Sequence, residues 1–210
     1  MIFCCSLSAL DSLYINCGGN ELKIGSTRYE SDTDRGGPAN FYRGSNWAFS
    51  STGNFMDDDP PVNIFFVENT SKLLDNSSEL SMNARITPIS LTYYGFCLMN
   101  GIYSVKLHFA EITFTNDKTY RSLGRRIFDV YIQGKLVLKE FNIEKEAGGV
   151  GIEIVTDFDV VVTSGTLEIR LYWSGKGTVG IPTRGVYGPL ISAISVQLHG
   201  GRYFFLIDVI

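Results

Sequence analysis

Residues 101–143 carry the clearest alternation of apolar and polar side chains in this chain. Every second residue is apolar in 103–109, and the same period returns in 128–132, which places the apolar side chains on one face of each strand. Gly134 then interrupts the pattern before it resumes in 136–141, as expected for a hairpin. We therefore predict three antiparallel strands here, with a long polar loop between the first two.

Short apolar stretches with strand-like patterns recur along the rest of the chain. They cover residues 13–17, 64–67, 81–86, 90–98, 152–163, 166–173 and 189–198. The polar stretch 21–61 contains scattered aromatic residues, so we expect it to form short strands or to pack its rings on the sheets. We find no convincing amphipathic helix, and no stretch approaches the ~20 apolar residues of a membrane span. The pattern predicts an all-β sandwich.

The length of 210 residues fits one large domain, to which we assign residues 13–198. Residues 1–12 are apolar but lack a basic region, so they are interpreted as the remnant of a signal, the start of a fragment or a further strand. Residues 199–210 form an apolar tail that is too short to cross a bilayer, and we interpret it as an extra strand or as the stub of a longer segment.

Composition and charge exclude several classes of partner. The chain is 44% hydrophobic and 19% charged, which is typical of a folded domain. Its net charge of −4, without a run of Lys or Arg, argues against nucleic acid and against an anionic membrane surface. His108 and His199 lack ligand-spaced partners, and the three Asp of 57–59 are interpreted as a solvated turn and not as a calcium loop. We therefore expect no metal and no cofactor, and a structural role for His108.

The cysteines and two glycosylation sequons favour the secretory pathway. No two cysteines have the spacing of a metal site or a redox motif. Cys17 and Cys97 both lie near the ends of predicted strands, so we predict a disulfide between them, the alternative being two buried free thiols. Asn69 and Asn76 each begin an N-glycosylation sequon in one polar loop. Together these features predict an extracellular or cell-surface location.

Five motifs resemble the malectin domain, in particular that of plant leucine-rich-repeat receptor-like kinases. They are INCGG at 15–19, YYGFCL at 93–98, HFAEITF at 108–114, RRIFDVYIQG at 125–134 and YGPLISAISV at 187–196. The resemblance covers about residues 13–198. It implies a jelly-roll-like antiparallel β-sandwich that acts as a non-catalytic recognition module outside the cell. The kinase motifs of such receptors are absent from the chain.

The resemblance also implies a saccharide site on the loops at one end of the sandwich. Animal malectin binds glucose-capped glycans through aromatic side chains and an aspartate, because sugar rings stack on aromatic faces and carboxylates accept hydroxyl hydrogen bonds. Of the family's Tyr-Phe pair only the Phe is matched, by Phe114, and Tyr187 stands at the position of the aspartate. The fold therefore transfers to this chain, whereas the glucose specificity does not.

Aromatic and amide side chains in the predicted loops are the candidate ligand contacts. They are Trp47, Phe49, Phe114, Asn116, Tyr120 and Tyr187. For each ring the alternative is packing against neighbouring loops. The expected ligand is a carbohydrate or a cell-wall or peptide ligand, and the alternative function is a structural spacer or a co-receptor docking domain without a small ligand.

A third hypothesis is a glycoside hydrolase that uses two carboxylates. Glu111 and Asp129 lie on strands that the hairpin prediction makes neighbours, and a catalytic pair needs a separation of ~5–10 Å. Arg125 and Arg126 are available as partners for a carboxylate, so an ion pair with Glu111 is the preferred interpretation. We therefore expect substitution of Glu111 to cost stability and not an activity.

Overall fold

The computed structural model of the protein describes residues 9–55, 65–69, 78–114, 124–179 and 186–200. The strands in these ranges are β1 Ser12–Cys17, β2 Leu22–Ile24, β3 Thr27–Asp32, β4 Ala39–Arg43, β5 Trp47–Thr52, β6 Phe66–Glu68, β7 Asn83–Ile86, β8 Ser90–Gly95, β9 Gly101–Ala110, β10 Arg126–Ile132, β11 Lys135–Phe141, β12 Glu153–Val162, β13 Leu167–Gly177, β14 Leu190–Ile191 and β15 Ala193–Leu198. The same ranges contain one α-helix, α1, at Ile143–Ala147 and a 3₁₀ turn at Glu79–Ser81.

The strands of the described ranges form two six-stranded sheets and one three-stranded sheet. The first sheet has the order β12-β9-β15-β1-β3-β2, the second β11-β10-β13-β8-β5-β4, and the third β14-β7-β6. Paired strands are antiparallel except β1 and β3, which run parallel. The predicted all-β, jelly-roll-like antiparallel sandwich is confirmed.

The core lies between the inner faces of the two large sheets. All four apolar residues of the alternating stretch 103–109 are buried in it. The ring of Phe109 on β9 lies 5.9 Å from that of Phe128 on β10 and 5.0 Å from that of Phe141 on β11. The sheets are therefore held together by aromatic contacts whose burial removes a large apolar area from water.

The prediction of three neighbouring strands in 101–143 is only partly right. β10 and β11 do form a hairpin, and its turn uses Gln133 and Gly134 with φ values of 50° and 72°. However, β9 pairs with β12 and β15, whereas β10 pairs with β11 and β13 in the other sheet. Alternation shows which side chains are buried, but it does not show whether two apolar faces meet across a core or lie side by side.

Helix α1 was not expected in the connector after β11. The Asn142 side chain accepts a hydrogen bond from the Lys145 backbone N–H at 2.8 Å, and Gly148 ends the helix with a φ of 80°. A helix of five residues is too short to show a hydrophobic period. Within the described ranges, no helix has the length and apolar character needed to span a membrane.

The predicted disulfide between Cys17 and Cys97 is wrong. Cys17 is a free thiol at the end of β1 and is fully buried, and burial raises its pKa. Cys97 is disulfide-bonded, but Cys17 is not its partner. Proximity to a strand end does not decide a pairing, because a disulfide also needs a close approach of the two Cβ atoms.

Candidate functional site

Two of the aromatic residues predicted at the loop end of the sandwich, Phe114 and Tyr187, are buried. Phe114 packs under the guanidinium of Arg126, whose central carbon lies 5.1 Å from the ring centroid. The Tyr187 ring meets that of Phe55 edge-on at 5.2 Å, and its hydroxyl donates to the backbone oxygen of Asn54 at 3.4 Å. These rings hold the bases of the loops in place.

Glu111 and Arg126 form a buried ion pair at the same end. Nε of Arg126 donates to Oε2 of Glu111 at 2.8 Å, and Nη1 donates to the backbone oxygen of Gly188 at 2.6 Å. Oε1 of Glu111 also accepts the backbone N–H groups of Thr113 and Phe114, at 3.1 and 3.3 Å. The preferred prediction for Glu111, an ion pair with an adjacent arginine, is confirmed.

Glu111 and Asp129 are not arranged as a catalytic pair. Glu111 directly follows β9 of the first sheet, whereas Asp129 lies on β10 of the second. The Glu111 side chain is only 2% exposed and is occupied by Arg126, and Asp129 accepts the Glu140 backbone N–H at 2.6 Å. Both carboxylates therefore have structural partners: Glu111 binds the Arg126 guanidinium, and Asp129 binds a backbone N–H group of β11.

Trp47 and Phe49 lie within β5, with their rings on its inner face. Phe49 has no exposed surface and lies 4.3 Å below the guanidinium of Arg85, so none of its ring is open to a ligand. Trp47 is 1% exposed, but its indole N–H reaches the edge of the sandwich and donates to Oε2 of Glu30 on β3 at 2.9 Å. This bond joins the first sheet to the second.

A cleft of about 460 Å³ opens at this edge, between β3 and Glu21 on one side and β4 and the start of β5 on the other. Its aromatic wall consists of Tyr42 and Trp47, whose ring centroids lie 5.7 Å apart at an angle of 50°. The cleft also includes Gly44, where any side chain would collide with the Trp47 indole. The turn between β4 and β5 therefore approaches the indole as closely as only glycine allows.

Four ionisable side chains surround the aromatic wall: Glu21, Arg28, Glu30 and Arg43. Glu30 is oriented by two donors, the Trp47 indole and the Ser45 hydroxyl, the latter at 2.5 Å. Nη2 of Arg28 donates to Oε2 of Glu21 at 2.6 Å, and this bond raises the pKa of Arg28. The cleft thus offers carboxylate acceptors, guanidinium donors and aromatic ring faces, and the charges of the four ionisable side chains cancel. This combination suits a neutral ligand rich in hydroxyl groups.

The outcome for the sequence-predicted residues is mixed. Of them, Trp47 contributes to the cleft, Phe114 and Tyr187 pack at the loop end, and Asn116, Tyr120 and Asn76 lie outside the described residues. Asn69 is half-buried, and its backbone N–H donates to the Met82 oxygen at 2.7 Å. No group of three or more metal-ligating side chains occurs in the described ranges.

Sequence reasoning missed most of the cleft. Tyr42 was visible as an aromatic residue within the polar stretch 21–61, but Glu30 and Arg43 looked like ordinary surface charges. Phe41 and Tyr42 are both aromatic, so the sequence does not show that Phe41 is exposed whereas Tyr42 is half-buried on β4. The contact between β3 and β5 that forms the cleft joins different sheets and leaves no local pattern.

The family of the chain follows from a comparison with family models. The model described as Malectin domain matches residues 12–194. The chain belongs to the malectin domain family. This confirms the family that the sequence motifs indicated, and the malectin domain is a non-catalytic module.

Known relatives place the malectin domain in receptor kinases. The chain is 54% identical over 195 residues to a probable LRR receptor-like serine/threonine-protein kinase of Arabidopsis thaliana, and the match covers 90% of this chain and 19% of the relative. The chain therefore spans about a fifth of the length of that relative.

Two solved structures share the fold of this malectin domain. The extracellular domain of ANXUR1 from Arabidopsis thaliana matches with a TM-score of 0.55 at 15% identity, over 89% of this chain and 48% of that one. A beta-glucuronidase of Bacteroides uniformis matches with a TM-score of 0.57 at 14% identity, over 90% of this chain and 18% of that one. At such identities the likeness shows the fold alone.

Proposed function

We propose that this malectin domain is a non-catalytic extracellular recognition module of a receptor-like kinase ectodomain, and that it binds a saccharide in the cleft beside Trp47. The observation that carries the proposal is the combination of a Tyr42–Trp47 wall with an oriented Glu30 carboxylate in one open cleft. A sugar ring presents a C–H face to stack on Tyr42 and hydroxyl groups to donate to Glu30. A secreted, glycosylated location with sugar chains at Asn69 and Asn76 belongs to the same proposal.

The fluorescence of Trp47 can report on ligand binding in the cleft. The chain has two tryptophans, of which Trp47 lies in the cleft wall and Trp173 lies on β13 of the second sheet. In a Trp173→Phe background, a change in fluorescence on titration with an oligosaccharide panel reports on the cleft. We expect saturable binding of at least one neutral oligosaccharide.

Matched variants locate the binding. We expect Tyr42→Ala to weaken affinity by about tenfold because it removes the stacking face, and Glu30→Gln to weaken it by removing the charged acceptor. Tyr172→Ala is the control, since Tyr172 is an exposed tyrosine on the outer face of the second sheet, and we expect unchanged affinity. Trp47 and Phe114 are unsuitable for this test because they are buried.

The titration separates the proposal from the alternative of a spacer or co-receptor docking domain. That alternative is supported by the 62% exposure of Phe41 on the outer face of the second sheet. If no oligosaccharide binds to the folded protein, or if Tyr172→Ala removes binding and Tyr42→Ala does not, the cleft is not the ligand site.

A further inference from the structure

Strand β12 is an edge strand with an unusually open side. It pairs with β9 in continuous register over all ten residues, from Glu153 opposite Ala110 to Val162 opposite Gly101. Among the residues that the structure describes, no strand pairs with its other side. A row of backbone N–H and C=O groups therefore faces outward along the strand.

The other edges of the two large sheets are protected in the usual ways. β2 has three residues and β4 has five. β11 carries Lys135 and Lys139, its pairing with β10 contains register shifts, and Glu140 has a φ of 49°. Short length, lysines and bulges all discourage the addition of another strand. β12 has none of these features, so it is the edge that can accept one.

The outward face of β12 has a regular chemical pattern. Val155 is 44% exposed and Val161 is 57% exposed, and between them lie Asp157 and Asp159 with side chains 51% and 75% exposed. The four residues are spaced by two, so they lie on one face of the strand. Along this face, the side chains are therefore apolar, acidic, acidic and apolar in turn.

The two aspartates keep capacity to accept hydrogen bonds. Asp157 accepts the Ser104 hydroxyl at 2.7 Å and lies 3.9 Å from Nζ of Lys106. Asp159 lies 2.9 Å from Nε2 of His199, whose side chain is 45% exposed. A carboxylate accepts about four hydrogen bonds, and exposed ion pairs of this kind are weak. Each aspartate can therefore receive a further cation from a neighbouring strand.

We propose that β12 binds an extended basic segment of a protein partner by strand addition, in which the segment carries the pattern apolar-x-basic-x-basic-x-apolar. The backbone of the segment would pair with the open side of β12, and its alternate side chains would lie beside Val155, Asp157, Asp159 and Val161. The pattern reads the same in both directions, so a parallel and an antiparallel segment meet the same charges.

A second copy of this chain fits the edge less well. In an antiparallel pair of β12 strands centred on Phe158, Asp157 would lie opposite Asp159 of the other copy. Like charges directly opposite each other destabilise a strand pair. Charge complementarity therefore favours a basic partner.

The proposal is tested with a synthetic fluorescent peptide of sequence GVTKTKTVG, titrated into the full chain at low salt. We expect saturable binding that weakens as salt is added. The double variant Asp157→Lys, Asp159→Lys should bind the peptide about tenfold more weakly, because two attractions become repulsions. The control double variant Glu68→Lys, Glu168→Lys, on strands outside the sheet of β12, makes the same change in net charge and should leave binding unchanged.

Hydrogen exchange measured on the same samples locates the peptide. We expect it to slow amide exchange in residues 153–162 and not in β4 or β11. The proposal is overturned if no binding occurs at about 1 mM peptide, if the acidic peptide GVTETETVG binds as well, or if both double variants behave alike. It is also overturned if the chain alone sediments as a dimer with β12 already protected, since the occupant is then a second copy. None of these outcomes depends on saccharide binding in the cleft.

Discussion

Asp32 and Arg85 form a buried ion pair in the interior. Arg85 donates from Nε to Oδ2 of Asp32 at 2.6 Å and from Nη2 to Oδ1 at 2.7 Å, and both side chains are fully buried. The Tyr93 hydroxyl adds a third bond to Asp32 at 2.6 Å. Burial alone would lower the pKa of Arg85, but the charge of Asp32 and its hydrogen bonds outweigh burial and raise it. The cluster joins β3, β8 and β7, one strand from each sheet.

Removing Asp32 should therefore be costly. We expect Asp32→Ala to lower the free energy of unfolding by about 3–5 kcal/mol, because the Arg85 charge stays buried without its partner. Urea unfolding followed by tyrosine and tryptophan fluorescence measures this. The control is Glu21→Ala, which breaks an exposed ion pair with Arg28 and should not shift the urea midpoint measurably. Equal midpoints for the two variants would contradict the role assigned to Asp32.

On the outer face of the first sheet, one chain of hydrogen bonds joins side chains of four strands and passes over a fifth, β1. It runs from the Tyr29 hydroxyl on β3 to Ser195 on β15 at 2.9 Å, on to His108 on β9 at 3.0 Å, and to Glu153 on β12 at 3.0 Å. The structural interpretation of His108 is thus supported by two side-chain partners. The hydrogen bond and charge of His108 lower the pKa of Glu153, although burial opposes them.

This pKa shift predicts an acid-dependent loss of stability. Because the folded pKa of Glu153 lies below 4.5, its contribution is fully present above that pH and is lost as the pH falls through the folded value. We expect the gap in urea midpoint between the wild type and Glu153→Gln to be largest near pH 6 and to shrink towards pH 3. Glu168→Gln is the control and should follow the wild-type profile. A gap that stays constant with pH would mean that Glu153 acts without its charge.

At the scale of the whole molecule, the two proposed sites lie on opposite sides of the sandwich. The saccharide cleft opens beside β2 and β4, and the peptide edge is β12, five strand spacings from β2 at the opposite end of the first sheet. Strand spacing puts about 24 Å between the two edges. The chain passes from β9 in one sheet to β10 in the other, and the Glu111–Arg126 ion pair joins the end of β9 to the start of β10.

Breaking that pair should affect stability and leave recognition intact. We expect Glu111→Gln to lower the free energy of unfolding by about 1–3 kcal/mol, because a charged acceptor of buried donors is lost. Saccharide affinity in the cleft should not change, since β15 and β1 separate β9 from β3. Thermal unfolding and the fluorescence titration on the same variant measure both. A folded Glu111→Gln protein that has lost saccharide binding would show that Glu111 serves the ligand.

The sequence predicted most strands because their signals are local. The alternation in 103–109 and 166–173 corresponds to β9 and β13, and Gln133-Gly134 marks the hairpin turn. It did not predict α1, whose five residues are too few for a period. It placed Phe114 and Tyr187 at a surface, but both are buried, because exposure depends on which neighbours cover a ring.

What the sequence by itself determined is the all-β class, the malectin family and the buried face of each main strand, since these follow from side-chain period and motif order. Only the tertiary structure decided that β9 and β10 lie in different sheets, that no disulfide joins Cys17 to Cys97, and that Glu30 and Trp47 meet at a cleft. The physical reason is that strand pairing and inter-sheet contacts join residues far apart in the chain, and no short-range pattern records which apolar faces and edges meet.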